Sequence, residues 1–181
     1  MKILFISSEL TPFAKSGGLG DAVSSLAAAL SKLGHDVRVL LPRYYFISKN
    51  TLRRINGLLE IDSARERHRA FLYTANLPNS QAKVYFLECD SLYGRNGIYG
   101  YSSNQEFPDN PERFSVLSKA AFALCRNLGW IPDIMQAHDW PTAPVPVYLN
   151  TIEKNTEFSG TAGVLTIHNL GYQGIYSRDH F

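Results

Sequence analysis

The amino-acid sequence predicts an α/β fold built on a parallel sheet with helices on both faces. Short apolar runs, which indicate buried strands, alternate with segments whose apolar residues recur at helical spacing. Polar turns, several of them containing glycine, follow these strands. Strands joined through a helix run parallel with a right-handed crossover, so the alternation predicts this class of fold.

Length, charge and cysteine content narrow the class of protein. A chain of 181 residues suits one domain, and a net charge of +2 is too small to indicate nucleic acid or an anionic membrane as a partner. Cys89 and Cys125 fit neither a metal-ligand spacing nor a disulfide framework. The apolar run in "MKILFIS" is too short for a signal peptide, and no segment reaches membrane-spanning length. We therefore expect a soluble, cytoplasmic protein.

The first predicted unit is a strand, a helix and a second strand. "KILFISSE" is the first strand and "DVRVLLP" is the second. Between them, apolar residues recur at helical spacing from Val23 to Leu33. Asp21 is the predicted N-cap of this helix, and Gly34 is predicted to end it.

Residues 43–110 interrupt the alternation. "HRAFLYTANL" and "AKVYFLEC" predict an inserted β-hairpin that turns at "PNSQ". The long segment "DSLYGRNGIYGYSSNQEFPDN" follows, and loops of this length are usually functional or disordered. A helix then begins at "DNPERF", with Asp109 or Asn110 as its cap and Pro111 in its first turn, and ends at Gly129.

The alternation resumes after this helix. "PDIMQAHDW" and "AGVLTIHNLGYQG" each predict a strand that runs into a polar turn, and a helix over residues 142–150 separates them. The sequence stops at "YSRDHF", without a helix to cover the last strand. We therefore expect an incomplete domain.

Three polar turns should meet at one edge of the sheet. "KSGGLGD", "HDW" and "HNLGYQG" each follow a predicted strand. Ligands of open α/β sheets bind beyond the carboxyl ends of the strands, so Lys15, Gly17, Gly18, Asp139 and His168 would share one rim. The helix N-terminus behind the glycines favours an anion, and glycine lets a phosphate or a sugar approach the backbone closely.

Each of these groups also has a purely structural interpretation. The glycines could serve only to form a tight turn, Asp139 could cap a helix, and His138 and His168 could be satisfied core histidines. Metal binding by Asp139 and the two histidines lacks a tight ligand spacing, so we expect no metal. The expected convergence on one rim favours function over the structural interpretation.

Absent motifs narrow the choice of ligand. The second strand ends in "LLPRYYF" and lacks the acidic residue of a nicotinamide-binding unit. The sequence contains no D-x-D triplet, which many metal-dependent nucleotide-sugar enzymes use, and no G-x-S-x-G elbow of a hydrolase. These absences predict a metal-independent site, without a cofactor, for a sugar, a phosphate or both.

The same residues resemble a known family. "KSGGLGDAVSSLAAAL" is similar to the signature of bacterial glycogen synthases and plant starch synthases. The similarity continues in the family's order through "GHDVRVLLPRY", "DNPERF", "QAHDW" and "TIHNLGYQGIY", and it covers nearly the whole chain. Pro141 is a departure, because the family usually has histidine or glutamine after "HDW".

The resemblance implies a retaining glycosyltransferase of the two-Rossmann (GT-B) type. Such an enzyme transfers glucose from ADP-glucose to the non-reducing end of an α-1,4-glucan in glycogen or starch biosynthesis. Residues 1–181 would then be an incomplete, Rossmann-like N-terminal domain on the acceptor side. The C-terminal nucleotide-binding domain would be absent from these residues, so we expect the isolated chain to be inactive. A plant member would act in the plastid stroma instead of the bacterial cytoplasm.

The resemblance also implies roles for individual residues. Asp139 matches an acid that is required for activity near the transferred glucose, and His168 matches a histidine that contacts this sugar. The implied substrate-binding residues, in the glycine-rich turn and in two other loops, are Lys15, Gly17, Gly18, Asp21, Tyr93 and Asn169.

Two other functions stay open at this point. The chain could be a glucan-binding module without transfer activity, in which Tyr93, Tyr99 and Tyr101 stack on sugars and the glycines only form a turn. It could also belong to a GT-B enzyme that uses UDP-glucose, because the residues that select the base would lie in the absent domain.

Overall fold

A computed structural model of the chain describes residues 1–102 and 105–177. Two parts of the predicted loops therefore lie outside the described residues, namely 103–104 and the last four residues of "YSRDHF". The strands are β1 (Lys2–Ile6), β2 (Asp36–Pro42), β3 (Arg53–Asp62), β4 (Arg67–Asn76), β5 (Lys83–Glu88), β6 (Gly100–Ser102), β7 (Gln105–Glu106), β8 (Ile134–His138) and β9 (Ala162–Thr166).

Seven of these strands form one sheet in the order β3-β4-β5-β2-β1-β8-β9. The run from β5 to β9 is parallel, with Ile3 opposite both Val37 of β2 and Ile134 of β8. Leu4, Phe5 and Ile6 of the central strand are all fully buried, because both faces of this sheet are covered. The predicted α/β fold class is therefore confirmed.

The helices of the described residues are α1 (Leu19–Lys32), α2 (Asp90–Tyr93), α3 (Asn110–Leu128) and α4 (Pro144–Asn150). α1 leads from β1 to β2, whereas α3 leads from β5 to β8 in the opposite direction across the sheet. Right-handed crossovers place two such helices on opposite faces. α4 packs against α3, and therefore shares its face. None of the helices in the described ranges is long and apolar enough to cross a membrane.

The predicted hairpin exists, but it is part of the main sheet and not a separate insertion. β4 pairs antiparallel with β5, and β5 pairs parallel with β2. A further antiparallel strand, β3, extends this edge and was not predicted. Its pattern is hard to recognise because most of its residues are exposed and its pairing shifts between Ile55 and Leu59, around Gly57 with a φ of 113°.

The sequence predicted the C-terminal end of α1 correctly but not its N-terminal cap. Gly34 ends the helix as expected: it has a φ of 87° and its N–H bonds to Ser31, while the His35 N–H bonds to Leu30. Asp21, in contrast, is not the N-cap. The helix starts earlier, at Leu19, so Asp21 lies in the first turn and no side chain caps the helix.

Residues 94–102 and 105–109, which we call the tyrosine loop, fold back onto the start of α3. Arg113 of this helix is fully buried and donates through Nε to the Leu92 carbonyl at 2.8 Å and through Nη1 to the Ile98 carbonyl at 2.9 Å. Asn110 donates to the Tyr99 carbonyl at 2.8 Å. The main chain is thereby bound to α3 just before the loop and at residues 98 and 99, which positions this part of the loop beside the carboxyl end of the sheet.

Candidate functional site

A cleft of about 860 Å³ lies at the carboxyl ends of the parallel strands. The predicted rim is therefore present, and the turns after β1, β8 and β9 all contribute to it. The tyrosine loop forms the opposite wall, and aromatic side chains supply apolar surface. The predicted residues that line the cleft are Lys15, Gly17, Gly18, Asp139, His168 and Asn169.

The glycines of the first turn are not explained by the fold. Neither Gly17 nor Gly18 has a left-handed φ, and a Cβ added at either position would meet no protein atom within 4 Å. Gly20 is different, because a Cβ there would lie 3.2 Å from both the Ala14 carbonyl oxygen and Thr11 Oγ1. A Cβ is therefore crowded at position 20 but not at positions 17 and 18, where the backbone borders the open cleft.

The start of α1 presents a positive end to the same cleft. No side chain caps its first turn, and Gly18 and Leu19 at its N-terminus line the cleft. The first N–H groups of a helix have no partner within the helix and carry the positive end of its dipole. This part of the cleft is therefore suited to an anionic group.

Lys15 is held beside the glycines by Asp21. Its ammonium donates to Asp21 Oδ2 at 2.5 Å, and Thr11 Oγ1 donates to Asp21 Oδ1 at 2.7 Å. The hydrogen bond from Lys15, followed by that from Thr11, holds the pKa of Asp21 below its usual value. Asp21 does not line the cleft itself, so it orients the lysine while Lys15 faces the ligand space.

Glu9 is a cleft residue that the sequence analysis missed. It is 3% exposed, and its carboxylate accepts the N–H groups of Ser16 at 2.7 Å and Gly17 at 3.1 Å. The Ser16 hydroxyl, at 2.7 Å, and the Tyr99 hydroxyl, at 2.8 Å, also bond to it. Its place just after β1 is visible in the sequence, but its partners are set by the tertiary fold.

Asp139 supports the turn after β9. Its Oδ1 accepts the N–H groups of His168 at 2.6 Å and Asn169 at 3.3 Å. The backbone of Asp139 has a φ of 58° and a ψ of −176°, a region that non-glycine residues rarely occupy and that costs on the order of 1–3 kcal/mol. Such strain is typical of functional sites. Pro141 fits the short 3-10 turn Trp140–Thr142 that follows, since it lies at the start of that turn.

His138 and His168 form a stacked pair. His138 Nδ1 lies 3.0 Å from His168 Nε2, and the two rings are inclined by only 24°. Burial, and secondarily the neighbouring His168, lowers the pKa of His138 to about 3. His138 is therefore neutral at physiological pH and supports His168, whose exposed ring faces the cleft.

Tyr93, which was predicted to bind substrate, lies outside the lining of the cleft. Its ring is fully buried and its hydroxyl donates to the Arg113 carbonyl at 2.6 Å, so it has no face free to stack on a sugar. Tyr99 does line the cleft, but its hydroxyl is bound by Glu9 and Ser8. Tyr101 is 66% exposed. A platform of three stacking tyrosines, which the glucan-binding alternative requires, is therefore not formed.

The residues that the sequence analysis weighed as metal ligands do not converge on one point. Asp139 Oδ1 holds backbone N–H groups, and the two histidines bond to each other. Within the described ranges, a possible ligand set is Glu66, His68 and Glu112, outside the cleft. The two nitrogens of His68 face different carboxylates, Nδ1 that of Glu66 at 3.8 Å and Nε2 that of Glu112 at 3.2 Å, so these side chains contact each other between β4 and α3.

Comparisons with known proteins agree with this geometry. Residues 2–181 match the starch synthase catalytic domain family. The chain is 50% identical over its full length to a glycogen synthase of Treponema denticola, and it covers 37% of that protein. It is 42% identical over 178 residues to glycogen synthase 1 of Geobacter sulfurreducens, covering 96% of this chain and 35% of the relative. The chain thus spans little more than a third of the length of these curated relatives.

Solved structures support the same assignment. The catalytic domain of starch synthase IV from Arabidopsis thaliana, bound to ADP and acarbose, superposes with a TM-score of 0.82 and 30% identity. The match covers 95% of this chain and 34% of the starch synthase chain. A sucrose-phosphate synthase from Thermosynechococcus elongatus, with a TM-score of 0.54 and 16% identity, shares the fold.

Proposed function

Because the chain belongs to the starch synthase catalytic domain family, we propose that it forms the N-terminal part of a glycogen or starch synthase and binds the diphosphate and glucose of ADP-glucose. The single observation that carries this proposal is the open backbone at Gly17 and Gly18. The fold does not need glycine at these two positions, because an added Cβ would meet no protein atom. We infer that the lack of side chains here leaves room for a ligand that approaches the main chain.

The donor's diphosphate is assigned to the start of α1. The uncapped N–H groups of this helix and the ammonium of Lys15 supply positive charge at the place where a departing ADP would gain negative charge. Preorganised donors of this kind stabilise a leaving group by several kcal/mol, on the order of 2–4 kcal/mol for one donor. The related starch synthase IV structure holds ADP, which supports a nucleotide diphosphate as part of the donor.

The glucose is assigned to the space between the glycines and the turns after β8 and β9. We propose that His168 and Asn169 contact the sugar, and that Asp139 acts near it while it holds both backbone N–H groups in place. The aromatic side chains Phe46 and Trp140 line the same cleft and provide apolar surface for sugar faces.

The surroundings of the acids favour transfer from the front face. Glu9, Glu106 and Asp139 line the cleft, and the protein itself binds each carboxylate: N–H groups bind Glu9 and Oδ1 of Asp139, and the Tyr176 hydroxyl binds Glu106. In a front-face transfer, the bond from glucose C1 to the phosphate oxygen breaks while the glucan 4-hydroxyl forms a new bond to C1. The hydroxyl proton passes to the departing phosphate oxygen, so configuration is retained without an enzyme nucleophile.

The test is a donor comparison on the full-length protein that contains this chain. Glucose transfer to glycogen is measured with ADP-glucose and UDP-glucose side by side, and we expect ADP-glucose to be preferred by at least about tenfold, which corresponds to about 1.4 kcal/mol. Lys15→Met should raise the KM for the donor. Preference for UDP-glucose would reassign the donor, and no transfer from either donor would refute the proposed activity.

A further inference from the structure

Glu9 has an environment that the proposed transfer does not by itself explain. The side chain is almost completely buried, and its carboxylate accepts four hydrogen bonds. Within the described ranges, no lysine or arginine forms an ion pair with it: Lys15, its neighbour in the glycine-rich turn, bonds to Asp21 instead. A buried carboxylate costs free energy unless its hydrogen bonds are well made, and here they are supplied by two separate loops.

The hydrogen bonds to Glu9 have a fixed direction. A carboxylate only accepts, so the Tyr99 hydroxyl must donate to it, and the Ser8 hydroxyl at 2.8 Å then donates to Tyr99. Burial, followed by the nearby Glu9, raises the pKa of Tyr99 well above its usual value, so its hydroxyl keeps the proton it donates. Glu9 thereby connects the glycine-rich turn after β1 to the tyrosine loop across the cleft.

The contacts also decide which backbone groups are left for a ligand. Glu9 occupies the N–H groups of Ser16 and Gly17. An anion is repelled from this carboxylate and drawn toward Lys15 and the uncapped start of α1. The position of Glu9 therefore specifies where along the glycine-rich turn a diphosphate can lie.

We propose that Glu9 and Tyr99 form a positioning pair, which holds the glycine-rich turn and the tyrosine loop together so that the start of α1 is presented to the donor. The identity of that donor rests on the function proposed above. The pair contributes geometry and does not react, because all of its polar atoms are bound within the protein.

Three substitutions separate geometry from charge. Glu9→Gln keeps the shape: its amide oxygen can accept both backbone N–H groups, and its NH₂ can donate to the Ser16 and Tyr99 hydroxyls, which also accept. Glu9→Ala removes every contact of the side chain, whereas Tyr99→Phe removes only the link to the tyrosine loop. Glu153→Ala is the matched control, because Glu153 is 8% exposed and bound by Arg126 and Thr156 but lies outside the cleft.

The experiment measures peptide-level amide hydrogen exchange and steady-state kinetics on the full-length protein. We expect Glu9→Ala to speed exchange in residues 15–20 and to lower kcat/KM for ADP-glucose about 10- to 100-fold, mostly through KM. Tyr99→Phe should have a smaller effect of the same kind, and Glu9→Gln should recover most of the loss. Glu153→Ala should lower the melting temperature but leave both the exchange of residues 15–20 and KM unchanged.

Two results would overturn the proposal. Unchanged exchange in the turn of Glu9→Ala would show that Glu9 does not hold it. Equal losses of turnover in Glu9→Gln and Glu9→Ala would show that charge, and not position, is what Glu9 supplies. If the wild-type protein transfers no glucose from ADP-glucose, the proposed function fails, while the exchange comparison still tests the positioning pair.

Discussion

Replacing Gly17 by alanine separates the two interpretations of the glycine-rich turn. If the glycine serves the fold, the substitution should destabilise the protein. If it serves a ligand, folding should be preserved and donor use should fall. The structure favours the second outcome, because position 17 has no left-handed φ and an added Cβ meets no atom within 4 Å.

The expected magnitudes follow from this environment. Alanine in a compatible backbone conformation restricts the unfolded chain, so the free energy of unfolding should stay equal or rise by up to about 1 kcal/mol. For a unit of this size, that is a rise in melting temperature of up to about 4 °C. A methyl carbon keeps ligand atoms about 3.5–4.0 Å away, so a donor seated against the backbone must withdraw. A displacement of about 1 Å can cost 100-fold in rate, and we expect kcat/KM to fall about 10- to 100-fold.

The chain offers matched controls for this substitution. Gly160 also lacks a left-handed φ and has no atom within 4 Å of an added Cβ, but it lies outside the cleft, so Gly160→Ala should affect neither stability nor turnover strongly. Gly20→Ala should lower the melting temperature because its Cβ would crowd the Ala14 carbonyl oxygen at 3.2 Å. Thermal unfolding and ADP-glucose kinetics on the full-length variants give the comparison. A destabilised Gly17→Ala protein, or one with wild-type kcat/KM, would refute the reasoning.

Two further predictions concern the histidine pair and its neighbour. The pKa of His138 is lowered from 6.5 to about 3 on folding, so the unfolded chain binds a proton that the folded chain does not, and stability should fall as the pH decreases from 6.5 toward 3. The free energy of unfolding, measured with urea near pH 5, should fall with decreasing pH about 1.4 kcal/mol per pH unit more steeply in the wild type than in His138→Gln. Equal pH dependence in the two proteins would contradict burial of a neutral His138. His168→Ala should lower kcat and change the free energy of unfolding by less than about 1 kcal/mol. Asp139→Ala should lower kcat too, and it should reduce the free energy of unfolding by about 1–3 kcal/mol because two backbone N–H groups lose their partner. Wild-type turnover in His168→Ala would show that this side chain has no part in the reaction.

The sequence predicted those parts of the fold that repeat a local pattern. The buried strands and the helix that ends at Gly34 have strong periodicity and clear stop signals. β3 lacks both, since it is mostly exposed and interrupted at Gly57. Local pattern likewise cannot show that the β4–β5 hairpin joins the main sheet, because that depends on the pairing of β5 with β2, more than forty residues apart.

The candidate site shows the same limit at the level of single residues. The rim was predictable because strand ends converge in any open parallel sheet. In the segment after β5, Tyr93 and Tyr101 look alike in sequence, but Tyr93 is buried against Arg113 and Tyr101 is 66% exposed. Gly17 and Gly20 also look alike, and only their tertiary neighbours show that a side chain would be crowded at position 20 and not at position 17. Glu9 was missed for this reason too.

The way in which α3 holds the tyrosine loop has a consequence for how this cleft can change. Arg113 and Asn110 bind main-chain carbonyl groups of residues 92, 98 and 99, and a carbonyl is the same whatever side chain its residue carries. These contacts fix part of the path of the loop without involving its own side chains, while Tyr99 and the Arg95–Asp109 ion pair add side-chain contacts. A lining residue other than Tyr99 can therefore be exchanged while these main-chain contacts of the wall stay in place. The fold thereby separates part of the scaffold of this wall from its chemistry, which makes this loop a natural place for new specificity to arise or to be engineered.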